Sequence, residues 1–287
     1  MSAVSEIRPS PIAGSWYNAH PERLRQEIDQ YLRPPDLPTL AGQVIAVIAP
    51  HAGHRYSGRT AGYAFAPLLG QQRDLVIILS PMHANYPASL LTTAHRAYGT
   101  PLGPVWVDQA ALDRLEEALM VDGLSITPIA NDREHSLEIE LPFLQRALTG
   151  DFKILPIMVR SMSPLVSRRL GHALAVTIQS YLGSDIHRCL LVASTDLSHF
   201  YPEEMALDLD MEMLRRMRSF APDDLFNAER TGKGFACGLA AVASVLWAAR
   251  ELGANTVEIL HHSTSASETG DRGSVVGYGA AAVLKHA

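Results

Sequence analysis

Three histidines occupy the same kind of place along this chain. The apolar, β-branched run VIAVIA (residues 44–49) stops at Pro50 and then presents His51; DLVIIL (74–79) is followed by Ser80, Pro81, Met82 and His83; RCLLVAS (188–194) runs into Thr195, Asp196, Leu197, Ser198 and His199. Short continuous apolar runs cut off by turn residues predict buried strands. In open α/β sheets ligands bind outside the carboxyl ends of the strands, so each imidazole is expected beside a crevice. Cys237, next to Gly238 at the start of a small-residue helix, is a fourth chemically capable group. The four converge if the three strands are neighbours in one parallel array. Imidazole and thiolate are good ligands for zinc, iron and copper, and two histidines with one anionic ligand leave positions open for substrate or water. Taken singly, each residue has a plainer reading, with the histidines capping loops and Cys237 a buried small hydrophobe.

The neighbours of these residues carry paired readings too. Asp196 either orients His199 or accepts backbone N–H bonds in its turn. A thiol at a helix N-terminus has a lowered pKa, so Cys237 with His and Asp also suggests nucleophilic catalysis. His54 and Arg55 are placed to bind an anionic substrate group, the alternative being an exposed polar turn. Glu134 and His135 form an acid/base pair or cap the helix they open. His261 and His262 lie on a strand, so at most one faces a given site. The chain has no GxxxxGK[ST] loop, no GxGxxG after a strand, no GxSxG elbow, and no CxxC or HExxH cluster.

The elements that must position these groups alternate. Helices are predicted over 21–32, 57–69, 109–119, from Glu134 through Leu144, over 164–182 and 202–220, and after Cys237; further strands are predicted over 88–98, 124–129, 152–159, 257–262 and 274–284. Strands alternating with helices indicate an α/β sheet. No repeat, low-complexity tract or linker divides the chain, so residues 1–287 read as a single domain.

Composition bounds the function. At 287 residues the chain can bury roughly three quarters of its unfolded surface. Its 24 basic and 30 acidic side chains leave a net charge of −6, which argues against nucleic-acid binding. Two unpaired cysteines fit a reducing compartment. The N-terminus lacks an apolar h-region and the run 239–249 is too short to span a bilayer. A soluble, cytoplasmic protein without membrane partners is expected.

Several ordered motifs together resemble the Memo family, also called AmmeMemoRadiSam system protein B: AGSWY (13–17), APHAGHRYSG (49–58), SPMHANY (80–86), TPLGPVWVD (100–108), EHSLEIELPFL (134–144), STDLSHF (194–200), ACGLAAV (236–242) and GSVVGYGA (273–280). Such proteins are similar in fold to class III extradiol ring-cleavage dioxygenases. The resemblance implies a three-layer sandwich, with a mixed, mostly parallel central sheet and helices on both faces. It places His51 and His83 where those enzymes keep two iron-binding histidines, Cys237 where they have a carboxylate ligand, and His199 with Asp196 at the acid/base position. A thiolate is softer than a carboxylate and shifts preference toward copper or zinc.

The resulting expectation is a metal-dependent redox enzyme acting on a small organic substrate. Its single transition metal, iron first, copper or zinc otherwise, is held by His51, His83 and Cys237, while His199 moves a proton and Asp196 fixes its tautomer. The alternatives are a metal-assisted or cysteine-nucleophile hydrolase, and a non-catalytic module binding a peptide or metal; a homo-oligomer is compatible with each.

Overall fold

Burial on both faces is what the apolar strands require, and the computed structural model, which describes residues 4–286, supplies it. The strands are β1 (Ile7–Arg8), β2 (Gln43–Ala49), β3 (Leu75–Pro81), β4 (Leu90–Thr93), β5 (Ala97–Thr100), β6 (Gly103–Trp106), β7 (Ile126–Ile129), β8 (Lys153–Val159), β9 (Cys189–Ser194), β10 (His199–Tyr201), β11 (Thr256–Thr264) and β12 (Val275–Lys285). The helices are α1 (Pro21–Tyr31), α2 (His54–Phe65), α3 (Gln109–Val121), α4 (Leu141–Ala147), α5 (Pro164–Leu182), α6 (Glu203–Arg218), α7 (Pro222–Arg230), α8 (Leu239–Glu251) and α9 (Ala266–Thr269).

A large mixed sheet runs in the order β10-β12-β2-β9-β3-β8-β4-β7, with β11 also on β12. Its centre, β2-β9-β3-β8, is parallel, while β12 joins β2 and β4 joins β8 antiparallel. Side chains from the two faces of the central strands feed two cores. Ile45, Ile48, Ile77, Leu79 and Leu191 pack with α3, α5 and α8 on one face. Val47, Val76, Ile78, Leu190 and Val192 pack with α1, α2 and α4 on the other. This is the three-layer α/β sandwich. The small residues of α2 let α1 approach closely; a Cβ on Gly62 would lie 2.0 Å from the Tyr31 carbonyl oxygen.

Three local expectations differ from the structure. The stretch 88–98 is two strands in two sheets, because β5 leaves the main sheet to pair with β1 and β6. The bend between is pinned by His95, whose Nδ1 donates to the Ser5 carbonyl at 2.7 Å while Nε2 accepts from Asn131 N at 3.2 Å. Glu134 and His135 do not open a helix: a 3₁₀ turn at Glu138–Glu140 precedes α4, whose start carries Pro142. The helix expected from residue 57 begins at His54, so His54 and Arg55 form its first turn.

Candidate metal centre

Strand register brings the histidines together. Ala49 at the end of β2 lies opposite Ser194 at the end of β9, and Ala193 lies opposite Leu79 of β3, so three adjacent parallel strands end at one edge. Thr195 N donates to the Ala49 carbonyl at 2.8 Å, and Asp196 Oδ1 accepts from His51 N at 2.8 Å and Ala52 N at 3.3 Å. The loop after β9 is thereby stitched to the loop after β2. It is also tied to the start of α8: Gly238 N donates to Thr195 Oγ1 at 2.9 Å, Cys237 N to the Asp196 carbonyl at 3.2 Å, and Asp196 N to Cys237 Sγ at 3.2 Å.

The ligand atoms of His51, His83 and Cys237 all lie within 4.8 Å of one another, and Cys237 Sγ is 3.1 Å from His51 Nε2. Each imidazole is held by its other nitrogen. His51 Nδ1 meets Ser194 Oγ at 2.9 Å and His83 Nδ1 meets Glu134 Oε1 at 2.9 Å, leaving both Nε2 atoms for a ligand. Such outer partners are what metal-binding histidines use to fix tautomer and orientation. Two imidazoles and a thiolate form a borderline-soft set suited to zinc, copper or iron, so the residues present fit a transition metal.

Electrostatics separate the two imidazoles. Burial, reinforced by the neighbouring His135 and His83, holds His51 well below the usual histidine range. At His83 burial pulls the same way, but the hydrogen bond and charge of Glu134 outweigh it and raise the ring above its ordinary value. Glu134 accepts four hydrogen bonds, from His83 N, His83 Nδ1, His135 N and Ser136 N, and these overcome burial and keep it far below the carboxylate range. It therefore both caps a turn locally and backs a candidate ligand. Burial and then the Asp196 charge push the Cys237 thiol up, the opposite of the lowering expected at a helix start.

His199 also reaches the site, but its orienter is not Asp196. His199 Nδ1 donates to the Leu197 carbonyl at 2.7 Å, while both recorded bonds of the Asp196 carboxylate come from backbone N–H groups of His51 and Ala52. Burial pushes Asp196 up to about 7 and lowers His199. The loop carrying His199 is fixed from behind by Asp210, which accepts from Ser198 N at 2.9 Å and bonds His262 Nε2 at 2.8 Å. His261 instead stacks on Tyr63, so neither strand histidine enters the cluster.

A cavity of about 550 Å³ opens over this edge, lined among others by Trp16, His51, Tyr56, His83, His135 and His199. Neither His54 nor Arg55 lines this cavity, and Arg55 borders a neighbouring cleft. The His54 ring is buried against Phe143 and Tyr17 and hydrogen-bonds the Ile139 carbonyl at 3.1 Å, because its place on the first turn of α2 turns it into the core. His135 joins the site, stacked on His83 with ring centres 4.9 Å apart and tilted against Trp16 at 4.0 Å. Its ligand atom also groups with those of His83 and Glu134 within 4.8 Å. In the sequence it was visible only as half of a Glu-His pair, and Trp16 only as part of AGSWY.

An α/β sandwich with a His/His/Cys cluster at the carboxyl ends of parallel strands is thus the class that fold and site define. A family model described as Memo-like protein matches residues 8–282. MEMO1 family proteins of three archaea align over nearly full length: Nitrosopumilus maritimus at 32% identity (96% of this chain, 98% of the relative), Sulfurisphaera tokodaii at 31% (95% and 97%) and Methanothermobacter thermautotrophicus at 31% (95% and 98%). The chain belongs to the Memo family.

Proposed function

We propose that this protein is a metal-dependent redox enzyme acting on a small organic substrate, with one transition metal, iron foremost, at His51 Nε2, His83 Nε2 and Cys237 Sγ. The observation that carries this reading is the donor set: three ligand atoms within 4.8 Å, two of them on imidazoles whose other nitrogens are already engaged. When bound, the metal supplies Lewis-acid and one-electron chemistry. The chain's own groups do the rest. His199, with Nδ1 committed to the Leu197 carbonyl, presents Nε2 as the site that takes or returns a substrate proton, and its lowered pKa keeps it an unprotonated base near neutrality. Trp16, Tyr56 and Tyr278 line the cavity, where their rings offer apolar surface to a small organic substrate.

Burial raises the Cys237 thiol, and attack and metal ligation both need the thiolate; a coordinated cation supplies what deprotonates it, which the cysteine-nucleophile alternative lacks. A cytoplasmic location and a small-molecule or peptide ligand belong to the same proposal; among the described residues no helix is long and apolar enough to cross a membrane. Anaerobic purification followed by elemental analysis, with Fe(II), Cu(I) and Zn(II) titrated into chelator-treated protein, tests the reading. Near-stoichiometric metal and a raised melting temperature are expected. A protein that stays metal-free and is not stabilised by any of the three overturns it.

A further inference from the structure

Behind His51, on the side away from the cavity, is a buried carboxyl group that the proposed chemistry does not use. Glu140 is fully buried, and among the described residues it has no ion pair. Its Oε1 lies 2.8 Å from Ser194 Oγ, and its Oε2 has no hydrogen-bond partner. Ser194 Oγ is also 2.7 Å from the Ser136 carbonyl oxygen and 2.9 Å from His51 Nδ1.

Counting protons decides between the arrangements. A hydroxyl has one hydrogen to give and two lone pairs to receive with. The Ser136 carbonyl can only accept, so the Ser194 hydrogen goes there. Both other neighbours must then donate to Ser194 Oγ: His51 through Nδ1–H, and Glu140 through a proton on Oε1. An ionised Glu140 would have to take the serine hydrogen itself. That would leave two oxygen lone pairs facing each other at 2.7 Å and a buried carboxylate with a single hydrogen bond.

We infer that Glu140 is a neutral carboxylic acid donating its proton to Ser194, and that Glu140 and Ser194 are positioning residues that lock His51 as the Nδ1–H tautomer with Nε2 aimed at Cys237 Sγ. Burial favours the same state, holding Glu140 well above the carboxylate range; the serine contact opposes this, and the charge of nearby Asp196 adds to it. Its partner Ser194, and the Ser136 carbonyl and His51 ring that meet that serine, are uncharged in this arrangement. The two imidazoles of the cluster thus have unlike supports, a carboxylate behind His83 and a neutral hydroxyl–acid pair behind His51. The consequence for metal affinity rests on the proposed reading of His51 as a ligand; the protonation of Glu140 does not.

Infrared difference spectra of metal-free wild type against Glu140→Gln and Glu140→Asp at neutral pH test the acid directly. A protonated carboxylic C=O band is expected that vanishes in the first variant and shifts in the second. Its absence from the wild type overturns the inference. Ring-¹⁵N NMR of the metal-free protein reads His51: Nδ1 protonated and Nε2 bare in the wild type and in Glu140→Gln, which keeps an N–H to give to Ser194, and a tautomer mixture in Ser194→Ala. An unchanged single tautomer in Ser194→Ala overturns the positioning role. Zn(II) titration adds the functional arm, with Ser194→Ala and Glu140→Ala weakened about 10- to 100-fold and Glu140→Gln within about twofold of wild type. Glu140→Gln as weak as Glu140→Ala also overturns it. A wild type that binds no zinc removes the metal reading alone, because the infrared and tautomer results stand without metal.

Discussion

Replacing Glu134 by glutamine keeps the shape of the side chain and removes what the carboxylate does. In the protein Oε2 accepts from His83 N at 2.7 Å, and Oε1 from His83 Nδ1 at 2.9 Å and from His135 N and Ser136 N at 3.0 Å each. An amide offers one accepting oxygen, so even with that oxygen kept at the Oε1 position its NH₂ confronts the part-buried His83 N, and in the other orientation three donors. One unsatisfied buried donor costs about 1–3 kcal/mol, and chemical denaturation of the metal-free variant should show a loss of that size. Metal affinity should fall about 10- to 100-fold, about 1.4–2.7 kcal/mol, because His83 loses the partner that orients it. The pH dependence gives a second reading with a definite sign. Glu134 raises His83 above its ordinary value, and a metal takes only the unprotonated ring, so wild-type affinity should climb as pH rises through a midpoint above about 6.5. In Glu134→Gln burial acts on His83 opposed only by the weaker Asp196 charge, and the midpoint should move to lower pH. Isothermal titration with Zn(II) between about pH 5.5 and 8 measures both quantities, bracketing the ordinary histidine value. A variant whose affinity at the upper pH is within twofold of wild type, or whose midpoint does not move, would refute the role assigned to the carboxylate.

Three further outcomes are expected. Cys237→Ser should lose most metal affinity, soft ions most of all, while the metal-free protein melts within a few degrees of wild type; paired metal analysis and calorimetry read this. Gly238→Ala should destabilise by about 1–3 kcal/mol in denaturant titration, because the new Cβ falls 2.2 Å from the Ser194 carbonyl oxygen and the turn that holds Cys237 ahead of α8 must shift away from β9. Arg8→Met should cost about 3–5 kcal/mol, since it strands Asp132 and Glu138 in the interior, and urea unfolding would detect it.

Much of this architecture could be read before any coordinates. Residues 164–182 form a helix with the predicted bounds, and β2, β3 and β9 lie where unbroken apolar runs place them, because burial on both faces leaves a pattern in one dimension. Strand-end histidines were equally legible, since sequence locates a strand terminus even when it says nothing of its neighbours. What could not be read were contacts closed across long separations. The partner of His83 is 51 residues away and that of His51 is 143 away, and no local pattern distinguishes a serine that ends a strand from one that holds a ligand. His54 shows the converse error. As part of HAGHR it looked like a companion of His51, but the helix starting at His54 turns its side chain toward Phe143. Asp196 is similar: three residues before His199 it suggested an orienting pair, whereas the turn sends its carboxylate to the backbone of the β2 loop.

The spread of the cluster along the chain has a consequence for biosynthesis. His51 and Cys237 are 186 residues apart, and β12, which completes the sheet beside β2, ends at Lys285. No nascent chain shorter than almost the whole protein can assemble the donor set, so on the proposed reading metal is acquired by a finished fold through the cavity mouth. Loading is then a step separable in time from synthesis. On that reading the metal-free protein is an obligatory stage in the life of each molecule, and it must be stable enough to wait.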